Sequence, residues 1–295
     1  MDLKLVQSGI LDGISGQGSY LFFSALPEGE VKKALKALAQ RADGKSLVVG
    51  VGACLARALG ADISGLRPFP ALEAPVEIPS TPFALWCWLR GEDRGELLLR
   101  SRELEGLLED GFMLELAIDG FRYDSGRDLT GYEDGTENPK GEEAVTAAFV
   151  TRGKPGLKGS SLVAVQQWLH DLDRFSSWSH IRQDNTVGRR RSDNKELDSA
   201  PESAHVKRTA QESFEPEAFV LRRSMPWSDS DGNAGLLFVA FGRTLDAYEA
   251  QMKRMAGIDD GIVDAMFDFS RPLTGSYFWC PPIKGGKLDI SALKL

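Results

Sequence analysis

Apolar runs of strand length, each followed by an amphipathic helical stretch, occur in the same order twice along this chain, and that alternation most narrows its possible folds. Residues 19–24 (Tyr20, Leu21, Phe22 and Phe23 at their centre) read as a strand, and Pro27 breaks it. Val31, Leu35 and Leu38 then recur at helical spacing. A second strand over 46–50 leads to a short helical stretch around 55–59, and a Pro/Gly-rich connection fills 65–82. A strand resumes at 83–89, a helix at 95–108 carries Leu97, Leu104 and Leu108 on one face, and 113–118 returns to strand. The order begins again with a strand at 161–168, a helix at 173–181, a strand at 236–241 and a helix whose face is Leu245, Tyr248, Met252 and Met255. Two strand-helix-strand-strand-helix-strand units put helices on one face of an antiparallel sheet. The reading is α+β: duplicated ferredoxin-like modules, residues 1–130 and 131–295, resting on element order, since no residue-level repeat accompanies it.

At 295 residues and 42% hydrophobic, the chain has material for a large core. A formal charge of −8 disfavours nucleic acid as a partner, although Arg189, Arg190 and Arg191 form a local basic run suited to an anion. Three dispersed cysteines, Cys54, Cys87 and Cys280, suggest neither a metal motif nor a disulfide framework, which fits a reducing compartment. No export signal is legible at the amino terminus, and no apolar run approaches the roughly 20 residues that span a bilayer. A cytoplasmic protein without membrane attachment is expected.

The segment from Gly131 to Gly141, with Asp134-Gly135 and Asn138-Pro139 inside it, specifies its backbone path far more narrowly than a surface loop requires. Two readings fit it. Asp134 either satisfies N–H groups of its own turn or is held at fixed geometry as an acid–base group. Of three histidines, His170 and His180 lie beside charged, Trp-containing segments, read as surface or half-buried, and receive no role. His205 sits in a polar, poorly periodic stretch, 188–209, too long for a simple hairpin connection. With no HxxxH or HxxE pattern near it, zinc is disfavoured; a lone imidazole suits an axial haem ligand, because the porphyrin supplies the other nitrogens. Arg222 and Arg223 follow an apolar run and should point to opposite faces of a strand, one inward and one outward.

These motifs together resemble the dye-decolorizing peroxidase family, most closely its compact cytoplasmic bacterial subgroup. The resemblance is carried by 131–139 as an extended GxxDG motif, by 187–206 from Val187-Gly-Arg to His205-Val, by 221–226 around Arg222, and by the closing segment 264–279. It implies ferredoxin-like modules of the dimeric α+β barrel type, with antiparallel sheets, helices outside, and one haem b per chain between the sheets, bound mainly by the second module. It implies His205 as the iron ligand, Asp134 as the distal aspartate and Arg222 as the distal arginine. Arg189 falls where relatives place an arginine near a haem propionate, and Asp264 is the implied partner of the His205 imidazole. Ser224 stands where many relatives carry asparagine, two residues after the distal arginine, and joins the cofactor-binding set.

The implied activity is a haem peroxidase that consumes hydrogen peroxide and oxidises dyes, phenols or other small one-electron donors. Asp134 would move a proton between the peroxide oxygens, and Arg222 would stabilise the separating charge. Trp168, Trp178, Trp227, Tyr248 and Tyr277 are available to relay electrons. A haem carrier or store, or a protein that releases iron from haem, is the alternative; a carrier has no use for a distal acid. A homo-oligomer is expected, and packaging through a carboxy-terminal extension is not.

Overall fold

The computed structural model describes residues 1–153 and 156–295. In the first half the elements are β1 (Gln17–Ala25), α1 (Val31–Arg41), β2 (Leu47–Gly52), α2 (Ala53–Ala58), β3 (Leu85–Gly91), α3 (Arg94–Leu108) and β4 (Phe112–Phe121). Helix α1 buries Ala34, Leu35, Leu38 and Ala39, the stripe its spacing dictates. Helix α3 starts where the Asp93 carboxylate accepts the Glu96 N–H at 2.8 Å, and it buries Leu97, Leu104 and Leu108.

The second half comprises α4 (Gly141–Ala148), β5 (Ser161–His170), α5 (Leu172–Ser176), α6 (His180–Val187), α7 (His205–Arg208), β6 (Leu221–Arg222), β7 (Met225–Ser228), β8 (Ala234–Gly242), α8 (Asp246–Met255), β9 (Ser270–Pro272) and β10 (Ser276–Cys280). The single helix expected at 173–181 is two short ones. The chain turns after α5, and Ser179 restarts it as an N-cap, its hydroxyl accepting the Arg182 N–H.

Among the described residues ten strands form one antiparallel sheet in the order β6-β8-β7-β4-β1-β3-β2-β10-β5-β9. A further pairing of β8 with β5, from Leu162↔Gly242 to Leu169↔Gly235, closes the run from β8 to β5 into a barrel and leaves β6 and β9 as flanks. Within the halves the strand orders are β4-β1-β3-β2 and β7-β8-β5-β10.

Eight strands make a barrel just wide enough for side chains to fill. Tyr20, Phe22, Trp86, Trp88, Phe241 and Phe278, each at most 1% exposed, fill this one. Nothing large fits inside. Alternation along β5 sends Val163 and Val165 inward and Ala164, Gln166 and Trp168 outward, toward Tyr248, Met252 and Met255 of α8. The expected binding space between two sheets is therefore corrected. The barrel is one continuous sheet, and the large cavity lies between its outer face and the helices. Among the described residues no helix is long and apolar enough to cross a membrane.

Candidate active site

The cavity opens between β5, β6 and β8 on one side, α7 and α8 on the other, and the 128–137 turn at its mouth. Its empty space, open solvent at the mouth included, is ≈ 1580 Å³.

The turn region is shaped by glycines with positive φ. Gly135 sits at φ 75°, a conformation that favours glycine, and a Cβ there would lie 2.6 Å from Asn138 Nδ2 and push that side chain aside. The Asx-type capping at the start of this segment falls to Asp128, whose Oδ1 accepts both the N–H (2.8 Å) and the hydroxyl (2.5 Å) of Thr130. Among the described residues no backbone N–H donates to Asp134. Its carboxylate instead stands 3.5 Å from the Arg222 guanidinium, and both side chains line the cavity. The first of the two readings of this turn, Asp134 spent on local N–H groups, is thereby excluded.

His205 opens the short helix α7 and lines the same cavity. Its Nδ1 is engaged at 2.7 Å by Oδ2 of Asp264, which is 1% exposed, so Nε2 is the nitrogen left to ligate. Asp264 is itself fixed: its Oδ1 accepts the Met266 N–H at 2.8 Å, and its own N–H donates to Met255 of α8. Arg208 ties α7 to the α8 end, donating to Asp260 at 2.6 and 2.8 Å and to the Arg254 carbonyl.

Arg189 also lines the cavity, but its guanidinium is engaged by Glu137 at 2.5 Å and Glu196 at 3.4 Å, and donates to the Asn194 carbonyl. Ser224 is buried with an unpartnered hydroxyl and is not part of the lining. Arg222 points to the cavity as alternation requires, whereas Arg223 is half-buried against the amino-terminal segment. It donates to the carbonyls of Ile10, Leu11 and Arg222, and burial, with Arg90 nearby, lowers its pKa to about 10.

Several lining residues escaped the sequence. His170 is buried, not a surface residue: Nδ1 meets Ser270 Oγ at 2.7 Å and Nε2 meets Asp128 Oδ2 at 3.1 Å. Burial alone would raise the Asp128 pKa, but His170 and the Thr130 donors outweigh it and hold the carboxyl below its ordinary range. The Asp-x-Thr pattern at 128–130 is an Asx-turn signature that marks this position; nothing local marks His170. Gln166 and Tyr248 meet at the deep end of the cavity, where the phenol donates to Gln166 Oε1 at 2.5 Å.

One free imidazole nitrogen, backed by a buried carboxylate, and an acid–arginine pair in the same large cavity define a single-histidine, peroxidase-type site. Among the described residues no group of three His, Cys, Asp or Glu side chains could hold a metal ion; a single imidazole with one nitrogen open suits an iron held by a porphyrin. Comparison with known proteins agrees. Residues 125–285 match the family described as Dyp-type peroxidase, C-terminal. A dye-decolorizing peroxidase of Mycolicibacterium paratuberculosis is 31% identical over 273 residues, covering 80% of this chain and 77% of that one. A dye-decolorizing protein from V. cholerae superposes with a TM-score of 0.86 at 27% identity over 97% of this chain and 98% of that one. A variant of DypB from Rhodococcus jostii RHA1, in complex with heme, does so with a TM-score of 0.83 at 27% identity, covering 92% and 94%. The chain belongs to the Dyp-type peroxidase family and is a haem peroxidase.

Proposed function

We propose that His205 would hold the iron of haem b, with Asp264 as the hydrogen-bonding partner of its imidazole, and that Asp134 and Arg222 carry the peroxide chemistry. The observation that carries this is the Asp134–Arg222 pair, a carboxylate free of its own turn beside a permanent cation, in the cavity that His205 lines. Haem bound there would supply the redox chemistry, accepting the two-electron oxidising power of hydrogen peroxide and passing it to small donors one electron at a time. Asp134 takes the proton from the inner peroxide oxygen and returns it to the outer one, so that water can leave. The Arg222 guanidinium stabilises the charge that separates along the O–O bond. Asp264 holds the His205 Nδ1–H and thereby fixes which nitrogen can ligate. Arg189 is the candidate partner of a propionate, in exchange for Glu137 or Glu196. Ser224 stays buried outside the cavity lining and is given no contact with the cofactor.

The same proposal extends to organisation. Duplicated ferredoxin-like modules, divided near residue 130, are supported by the matching orders β4-β1-β3-β2 and β7-β8-β5-β10. A cytoplasmic location is in keeping with three unpaired cysteines, two of them buried. Self-association into a homo-oligomer has apolar surface available in Leu98, Leu99 and Met113. The test of the site is the absorption spectrum of haem-reconstituted wild type and His205→Ala, with and without peroxide. Loss of the wild-type ligation spectrum in the variant is expected; identical spectra would overturn the assignment.

A further inference from the structure

Asn194 holds a left-handed backbone conformation, φ 57°, in the tight turn of residues 190–195. Its N–H donates to the Arg190 carbonyl and the Arg190 N–H to the Lys195 carbonyl, each at 2.8 Å. Glycine serves such a position at no steric cost. Asparagine tolerates it too and adds hydrogen-bonding groups, and here those groups are used. Nδ2 of Asn194 donates to Glu133 Oε2 and to Thr136 Oγ1, each at 2.9 Å. An ionised carboxylate only accepts, so Glu133 dictates which end of the amide is the nitrogen.

Glu133 and Thr136 bracket the Asp134-Gly135 pair. Among the described residues Asn194 is the one side chain that hydrogen-bonds on both sides of that pair. The other side-chain ties to this stretch each hold one side of it. Arg127 reaches the Gly131 carbonyl and Glu133 Oε1, Tyr132 donates to Asp184, and Arg189 meets Glu137. With both neighbours fixed by one amide, the turn resists the rotation that would swing the Asp134 carboxylate away from Arg222, 3.5 Å off. The Asn194 carbonyl also accepts Arg189 Nη1 at 3.0 Å, so the clamp is braced against a second residue of the cavity lining. Asn194 is outside that lining, and its effect runs through the turn.

We propose that Asn194 is a positioning residue for the peroxide reaction: its amide, bonded to Glu133 and Thr136, holds the Asp134 carboxylate in register with the Arg222 guanidinium. The proposal rests on the reading of Asp134 as the acid–base group. It gives the polar stretch before His205 a second task beside carrying that histidine.

Two variants test it. Asn194→Gly keeps the backbone conformation and deletes the amide, and Asn194→Asp keeps the size but sets a carboxylate against Glu133. In the haem-loaded enzyme the second-order rate with peroxide, followed by stopped flow, should fall roughly tenfold in Asn194→Gly and up to about 100-fold in Asn194→Asp. Haem affinity, from Soret titration of the apo-protein, should stay at the wild-type value. Adding Glu133→Gln to Asn194→Asp reverses donor and acceptor across the same contact, and the double variant should recover most of the lost rate; Glu133→Gln alone completes the cycle. Crystal structures give a readout independent of turnover: the Asp134–Arg222 separation should lengthen in Asn194→Asp and return to 3.5 Å in the double variant. Wild-type peroxide rates in both single variants would overturn the proposal, as would an unchanged separation in a slow variant or no recovery in the double variant. Loss of haem affinity or thermal stability with an unchanged rate per bound haem would overturn it too, since Asn194 would then serve assembly alone. A wild-type peroxide rate in Asp134→Asn would remove the acid–base reading and this proposal with it. A slow Asp134→Asn beside a fast Asn194→Asp overturns this proposal alone.

Discussion

Asn138 pairs with the main chain of Arg222 as a neighbouring strand would: its Oδ1 accepts the Arg222 N–H at 2.8 Å and its Nδ2 donates to the Arg222 carbonyl at 3.1 Å. One side chain of the turn that carries Asp134 thus sets the position of the arginine beside it. Gln211 adds a second tie, donating to the Glu137 carbonyl and accepting the Val220 N–H. Asn138→Ala removes both bonds to Arg222. The expected cost in stability is about 1–2 kcal/mol, and the rate of reaction with peroxide should fall about tenfold or more as the pair loses register. Stopped-flow rates and denaturation curves check this together. A lower stability with an unchanged peroxide rate would show that the clamp serves the fold alone.

The Asp134–Arg222 pair has a different signature. Both side chains are nearly one-fifth exposed and 3.5 Å apart, so the pair adds at most about 1 kcal/mol to stability. Asp134→Asn should therefore melt close to wild type while the peroxide step slows by about 10²- to 10⁴-fold. Arg222→Leu should also slow it, by loss of charge stabilisation. Retention of near wild-type peroxide rates in Asp134→Asn would remove Asp134 from the mechanism.

These predictions separate what sequence could reveal from what it could not. Turn chemistry is local, so the glycines and the Asp-Gly pair of 131–141 announce a constrained backbone, and Gly135 takes the positive φ that favours glycine. Helix faces such as Leu97, Leu104 and Leu108 are equally local. The location of the cavity is not. It depends on β8 pairing with β5, which closes the barrel and leaves only the outer face free, and no residue pattern encodes that pairing by itself. His170 illustrates the consequence: a histidine in a charged segment reads as surface or half-buried with no role, yet strand alternation turns it onto the cavity wall, where Asp128 and Ser270 satisfy it. Arg223 is directed away from the cavity as alternation suggests, yet it is half-buried and not free in water, because the amino-terminal carbonyls that engage it come from more than 200 residues away.

Removing the carboxylate behind His205 should act on cofactor retention. Asp264→Asn keeps the volume but withdraws the charge from Nδ1, and partners of this kind typically contribute about 10- to 100-fold in affinity. Haem transfer from the variant to an apo-acceptor should accelerate by a similar factor. The iron reduction potential should rise, because a less anionic partner makes the imidazole a weaker donor. A potential equal to wild type would limit Asp264 to positioning.

The Asp128–His170 pair leads to a pH prediction whose sign follows from its environment. Asp128 is held below its ordinary pKa by His170 and the Thr130 donors, against the effect of burial. A carboxyl depressed in the folded state favours folding at pH values above its unfolded pKa, about 3.9. That contribution disappears as pH falls through the folded-state value. Asp128→Ala breaks the buried pair and leaves His170 Nε2 without its partner, so a loss of about 3 kcal/mol is expected near neutrality. Asp128→Asn retains an acceptor for Thr130 and should lose less. For both variants the deficit relative to wild type should shrink below about pH 4, where the Asp128 carboxylate of the wild type is itself lost. Chemical denaturation across this range measures it. A deficit as large at pH 3 as at pH 7 would mean that the Asp128 charge contributes nothing and that packing accounts for the loss.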